Sequence, residues 1–291
     1  MFYMTHVYNS SVMRLFAEGP YLPTPKLLHT ISGYYSVYGL TVLFDEVFLV
    51  RSTATVEVYN IKTWSRTHRF IVPGIPQDMT SCSTYNCLFI SDMENSKIYK
   101  YALNGTMLAN WNAQCRPEGL SVTSDCHVLV SCPGDNYLVE FDADGKQLAQ
   151  ISLKKSMFYP QHAIRQSSGQ LIVCNDGDQD PRHRHQVCAL NSDGNETQHC
   201  HGNASGAGTQ LLSSPQHLAI DGQGNVLVAD HNNHRIVLLS GTLKYLRDLI
   251  TMKSYWEHGP HRIWLDDIKG RLFVAHDTEF SSNVLVLQVK H

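Results

Sequence analysis

Six times along the chain a run of four or five largely apolar residues appears: Glu46-Val47-Phe48-Leu49-Val50, Cys87-Leu88-Phe89-Ile90, His127-Val128-Leu129-Val130, Leu171-Ile172-Val173-Cys174, Val226-Leu227-Val228-Ala229 and Leu272-Phe273-Val274-Ala275. Runs of this length that do not alternate predict strands buried on both faces. Each run follows a short segment and a turn. Pro76, Pro117, Pro160, Pro215 and Pro260 lead five of those segments and Val37 holds the equivalent place in the first, giving spacings of 39, 41, 43, 55 and 45 residues. A period in this range is the mark of a β-propeller, in which each repeat is a sheet wedged between two others.

Asn104-Gly105, Asp144-Gly145, Asp193-Gly194 and Ser240-Gly241 supply hairpin turns between a third and an outermost strand. Asp125, Gly169, Gly224 and Gly270 fall in the first turn of their repeats. The expected fold is therefore all-β, a six-bladed propeller with four-stranded antiparallel blades. Asn283–Val289 provides only a third strand before the sequence stops. The stretch Lys26-Leu27-Leu28-His29-Thr30-Ile31 is predicted to complete that last blade from the N-terminal side, joining the ends and removing exposed sheet edges. We expect residues 25–291 to form one closed unit, a monomer, with residues 1–24 an irregular segment outside the repeats. That segment holds no long apolar run, which predicts neither signal peptide nor membrane span and makes a cytoplasmic setting the expectation.

The eight cysteines resemble neither a disulfide framework nor a zinc ribbon, so most are expected as buried thiols. Cys82 and Cys87 are placed to face each other across a hairpin, whereas Cys126 and Cys132 are read as sharing one strand, too far apart to bond. Asn9, Asn104, Asn195 and Asn203 begin Asn-x-Ser/Thr triplets, which matter only in a secreted protein and otherwise read as chance. With Lys and Arg at 23 against Asp and Glu at 26, a net charge of −3 gives no global attraction for nucleic acid.

The fifth copy, Pro215-Gln216-His217-Leu218-Ala219-Ile220-Asp221 through Val226–Asp230 to Asn233-His234-Arg235-Ile236, resembles the NHL repeat, whose six-bladed propellers close many tripartite-motif ubiquitin ligases and related translational regulators. Partial copies stand at Pro117–Val122 and at Ile90-Ser91-Asp92 with Asn95–Ile98. The RING, B-box and coiled-coil segments of the larger proteins are absent from the sequence. The resemblance implies a non-enzymatic scaffold that binds a protein or peptide partner, or single-stranded RNA, across the loops entering the innermost strands. On that face the loop positions are Arg116, Arg165 and Arg262 beside Asp78 and Glu118. Asp230 and Arg235, with Asp92 and Asn175, read first as turn-capping groups.

His162, His217 and His261 stand near the start of consecutive innermost strands, at the expected mouth of the channel. No cofactor is required, but imidazoles converging there can hold Zn²⁺. Peptidyl-hydroxyglycine amidating lyases, another six-bladed group, use Pro-His at this place in three blades to bind zinc. Here only His261 follows its proline directly; the other two sit one residue later, which on a strand turns a side chain to the opposite face. Two insertions in the fourth repeat, residues 175–185 and 201–208, are expected as loops on one face, with Asp176, Asp178, Arg182 and Arg184 as partner contacts. The spaced aspartates mimic the opening of a calcium loop, but Pro181 stands where that loop needs glycine and no Glu closes it. Hydrolase and nucleotide-binding motifs are missing.

Overall fold

A computed structural model describes residues 20–154, 157, 159–176, 184–202, 206, 208–251, 258–278 and 281–291. Six four-stranded antiparallel sheets form the six blades. The innermost strands are Val37–Leu43, Pro76–Cys82, Leu120–Val122, Pro160–Arg165, Pro215–Ile220 and Pro260–Asp266, for blades 1 to 6 in order. The second strands coincide with the unbroken apolar runs, and four of them, Cys87–Asp92, Val128–Cys132, Leu171–Asn175 and Val226–Asp230, are buried at every position. Each such strand has a neighbouring blade on either face, so both faces leave water.

Blade 6 is completed from the other end of the chain. Tyr21–Gly33 pairs antiparallel with Ser282–Lys290, with Leu27 opposite Leu287 and Ile31 opposite Val284. The closing strand thus begins at Tyr21, before the residue 25 boundary read from the sequence. A buried polar clasp secures the seam: Lys290 Nζ lies 3.0 Å from Asp221 Oδ2 and 2.6 Å from Asp267 Oδ1, and Tyr21 donates its hydroxyl to Asp221 at 3.0 Å. Lys290 also sits 4.6 Å from the centroid of the Tyr21 ring. The hairpin glycines do the work expected of them at Gly105, Gly145 and Gly194, whose φ values of +86°, +89° and +73° a side chain rarely tolerates.

Four of the eight cysteines are paired, which corrects the expectation of mostly free thiols. Cys115 bonds Cys132 and Cys188 bonds Cys200, with Cα separations of 5.8 and 4.1 Å. Cys82 and Cys87 do stand opposite each other, yet both are free, as are Cys126 and Cys174, all four buried. Cys126 lies in the turn before Val128–Cys132 and not on that strand. Burial pushes the Cys87 thiol up to about 11 and that of Cys174 up to about 12, so neither carries reactive thiolate at neutral pH. Among the described residues no helix is long and apolar enough to cross a membrane.

Candidate functional site

The leading end of the innermost strands builds the site, and a bulge sets its geometry. In blades 1, 2, 4, 5 and 6 the register slips between the leading residue and the one two places on: Val37 to Gly39, Pro76 to Asp78, Pro160 to His162, Pro215 to His217 and Pro260 to Arg262. The extra residue aims consecutive side chains at different levels of the channel. One level carries Gly39, Asp78, Gly119, His162, His217 and Arg262; the level nearer the rim carries Tyr38, Gln77, Glu118, Gln161, Gln216 and His261.

The deeper level seals the channel. Asp78 is fully buried, and His162 and His217 are 2% and 7% exposed. The carboxylate of Asp78 accepts the Met79 and Leu120 backbone N–H groups at 2.8 Å each. Across the channel His217 Nε2 stands 3.6 Å from Asp78 Oδ2, and Arg262 Nε lies 3.3 Å from Oδ1, an ion pair out of line for a hydrogen bond. The same guanidinium donates to the His261 and Gln77 carbonyls at 2.8 Å. His162 stacks on His217 with ring centroids 3.8 Å apart and shares a 3.0 Å hydrogen bond through Nε2 with the Leu120 carbonyl. Glycine is needed at position 119 because a Cβ there would collide with the Gln161 carbonyl oxygen of the next blade.

Burial pulls the Asp78 carboxyl upward, but Arg262 and His217 outweigh it and hold it down at about 2. Burial depresses both His162, where His217 adds to the effect, and His217, where Asp78 opposes it. Both imidazoles are therefore neutral near pH 7. One donor atom each from Asp78, His162 and His217 lie within 4.8 Å of one another, a set that could hold a metal. The Arg262 guanidinium already supplies Asp78 with the positive charge an ion would bring.

Above this plug the rim-level side chains surround a cup of about 350 Å³, joined by His231, His258 and Asp277. A separate cavity of about 260 Å³ lies on the far side of the plug, lined by residues including Leu120, Ile164, Leu218 and Trp264. The cup is thus blind. Gln77 and Gln161 are half-buried, and their amides make no hydrogen bond among the described residues. Among the described residues Gln216 makes only a 3.5 Å contact to Ser214. Burial raises the Glu118 carboxyl, opposed by Arg262 and Arg116. His261 shares a 2.7 Å hydrogen bond with the Val37 carbonyl, and burial lowers it to about 4, against the pull of Asp277.

The structure brings His162, His217, Asp78 and Arg262 together at the plug. It leaves His261 out, beside His231 in the cup at 6.4 Å between ring centroids. The three-histidine arrangement of the amidating lyases is therefore not reproduced, because His261 directly follows its proline whereas His162 and His217 stand one residue later on equally bulged strands. Glu118 lines the cup, and Arg116 is exposed. Arg165 does not belong to this face: it ends its strand at the opposite rim, bonded to Glu140 at 2.8 Å. Asp176 is tied inward, 3.0 Å from His185 Nδ1 and 2.9 Å from Ser214 Oγ, while Arg184 is exposed and accepts Asn175 Nδ2 on its carbonyl. Asp178 and Arg182 lie outside the described residues. The glutamine ring was missed, although its signal is plain: Pro-Gln recurs at 76–77, 160–161 and 215–216.

Residues 212–237 match the NHL repeat. No curated protein matches the chain in sequence. In shape it is similar to virginiamycin B lyase from Staphylococcus aureus, at 13% identity over 89% of this chain and 88% of that one with a TM-score of 0.59. A streptogramin B lyase superposes at 11% identity, 89% and 97% coverage and a TM-score of 0.62. A protein of unknown function from Bacteroides caccae does so at 14% identity, 87% and 84% coverage and a TM-score of 0.60. At these identities the likeness is one of fold alone. The chain is a six-bladed propeller carrying an NHL repeat in blade 5.

Proposed function

We propose that the protein is a non-enzymatic interaction module that takes an extended peptide segment of a protein partner in the blind cup. The observation that carries this reading is the ring of three half-buried glutamines, Gln77, Gln161 and Gln216, around a floor closed by Asp78, His217 and Arg262. A primary amide offers two donors and an acceptor, the complement of a peptide bond. Placed in a concave wall, such groups fix a backbone without requiring one side chain. Glu118, in a cup whose His261 is neutral, adds a preference for a basic residue in the segment. Asp176, His185 and Ser214, joined by hydrogen bonds beside the leading end of blade 5, extend the contact surface.

RNA fits this face less well. Arg165 is at the other rim and Arg262 is engaged in the plug, leaving exposed Arg116 as the remaining one of the three arginines.

The test is selection of binders from a random peptide library on the intact chain, followed by rebinding to the variants Gln161→Ala and Gln77→Ala. Enriched peptides should lose at least about tenfold in affinity on each variant, roughly one lost buried polar contact, while the Tm stays within about 2 °C. Peptides that bind both variants as well as the parent would place recognition elsewhere.

A further inference from the structure

Four Asn-x-Ser/Thr triplets carry no weight as sequence, but the fold sorts them. Asn9 and Asn203 lie outside the described residues. Asn104 and Asn195 occupy the same architectural place, the hairpin between the third and outermost strands, in blades 2 and 4. Both asparagines are exposed, and so are Thr106 and Thr197 two residues on. The intervening Gly105 and Glu196 avoid proline, which blocks the reaction. At Asn104 the side-chain oxygen accepts the Thr106 backbone N–H at 3.0 Å, which leaves the amide nitrogen turned away and free. Asn195 makes no side-chain hydrogen bond among the described residues.

An independent observation concerns the compartment. Cys188–Cys200 crosses the very hairpin that presents Asn195, and Cys115–Cys132 ties blade 3 to the segment leading into it. Disulfides persist where the surroundings are oxidising, the setting in which asparagine-linked glycans are attached. The four remaining cysteines are buried, so no exposed free thiol is left among the described residues to pair wrongly there.

We propose that this chain matures in an oxidising secretory compartment and is N-glycosylated at Asn104 and Asn195, in contrast to the cytoplasmic setting expected from the sequence. The amide nitrogen of each asparagine forms a bond to the anomeric carbon of an oligosaccharide. The bond broken is that carbon's link to the diphosphate of a lipid-linked donor, and the amide loses one proton. Both hairpins lie at the rim opposite the cup, so a bulky glycan at either leaves the peptide site uncovered.

The test is the full chain made behind a cleavable secretion leader in eukaryotic cells, together with the protein isolated from the cells that naturally make it. Treatment of both with a peptide N-glycosidase should release glycan from Asn104 and from Asn195, each asparagine being converted to aspartate. Asn104→Gln and Asn195→Gln should each remove one, and Thr106→Ala and Thr197→Ala should reproduce those losses. Peptide mapping without reductant should show Cys115 linked to Cys132 and Cys188 linked to Cys200. Folded, secreted protein without glycan at either asparagine overturns the proposal, as does natural protein with eight free thiols.

Discussion

Blades 5 and 3 meet one structural need with different bonds. In both, the last residue of the second strand lies beside the leading proline and must hold the segment that arrives from the preceding blade. In blade 5 this residue is Asp230, whose carboxylate accepts Ser213 N–H at 2.7 Å, Asn233 Nδ2 at 2.8 Å and Arg235 Nε at 2.7 Å. Arg235 continues to the Leu211 carbonyl at 2.7 Å and to Asp248 at 3.2 Å. In blade 3 the same place is Cys132, held to the incoming segment by its bond to Cys115. Blade 2 repeats the carboxylate solution with Asp92, which takes Ile75 N–H at 3.0 Å, Asn95 Nδ2 at 2.7 Å and the Tyr99 hydroxyl at 3.2 Å. Blade 1 inverts the polarity: Arg51 donates to the Tyr35 and Ser282 carbonyls and to Glu57. A carboxylate pin needs Asp, Asn and Arg at fixed spacing, and that spacing is what makes residues 212–237 recognisable. A sulfur pin leaves no local trace.

The contrast can be broken most severely at Asp230. Asp230→Ala takes from Arg235, itself 4% exposed, its buried carboxylate and should cost about 4 kcal/mol in urea unfolding, with the same loss in reductant and in its absence. Cys115→Ser with Cys132→Ser releases a loop with a sequence separation of 17 and should cost about 3 kcal/mol, a loss that disappears when parent and variant are compared in dithiothreitol. If reductant leaves the parent unchanged, the sulfur pin carries no stability.

The plug offers a third kind of pin, ionic but central. Arg262→Leu should lower stability by about 2–3 kcal/mol and free Asp78, His162 and His217 to take Zn²⁺. We expect Zn²⁺ to raise the Tm of this variant by several degrees and to leave the parent unmoved. Equal response of the two would mean that Arg262 does not occupy the cation's place.

Acid should act on the plug and cup rather than on the sulfur pin. His162, His217 and His261 are held below their ordinary value of 6.5, His261 at about 4, so the unfolded chain binds more protons than the folded one from about pH 6.5 downward. Stability is complete above that range and falls as pH drops: from pH 7 to 6 His261 alone costs about 0.7 kcal/mol, and His162 and His217 add to the loss in the same direction. Chemical unfolding at the two pH values checks this, and a gain on acidification would contradict it. The mildest change is Asp92→Asn, which keeps the shape and removes the charge, at about 1 kcal/mol.

The repeat period, the doubly buried second strands and the closure by Lys26–Ile31 were legible because each is written in local order: a leading proline, an unbroken apolar run, a strand left one short. The turn-capping role of Asp92 was legible for the same reason, since it accepts the Glu94 and Asn95 N–H groups; Asp230 makes no such cap and holds Ser213 N–H instead, while Asn175 donates to the Arg184 carbonyl. What escaped is set by the bulge and by neighbours distant in sequence. Alternation along a strand put His162 and His217 on a different face from His261 but gave no hint that Asp78 joins them, since residues 78 and 217 meet only across the closed ring. Cys188 finds Cys200 through sheet pairing, and Cys115 meets Cys132 where the incoming segment passes the end of the second strand; spacing reveals neither.

The Lys290–Tyr21 clasp fixes an attachment geometry. Because the strand Tyr21–Gly33 runs from the clasp toward the cup and Ser282–Lys290 runs back, both ends of the ring leave it side by side, at the rim away from the glutamines. The open side of the disc is thus left with neither seam strand's outer end, and the clasp doubles as the ring's anchoring point on its back.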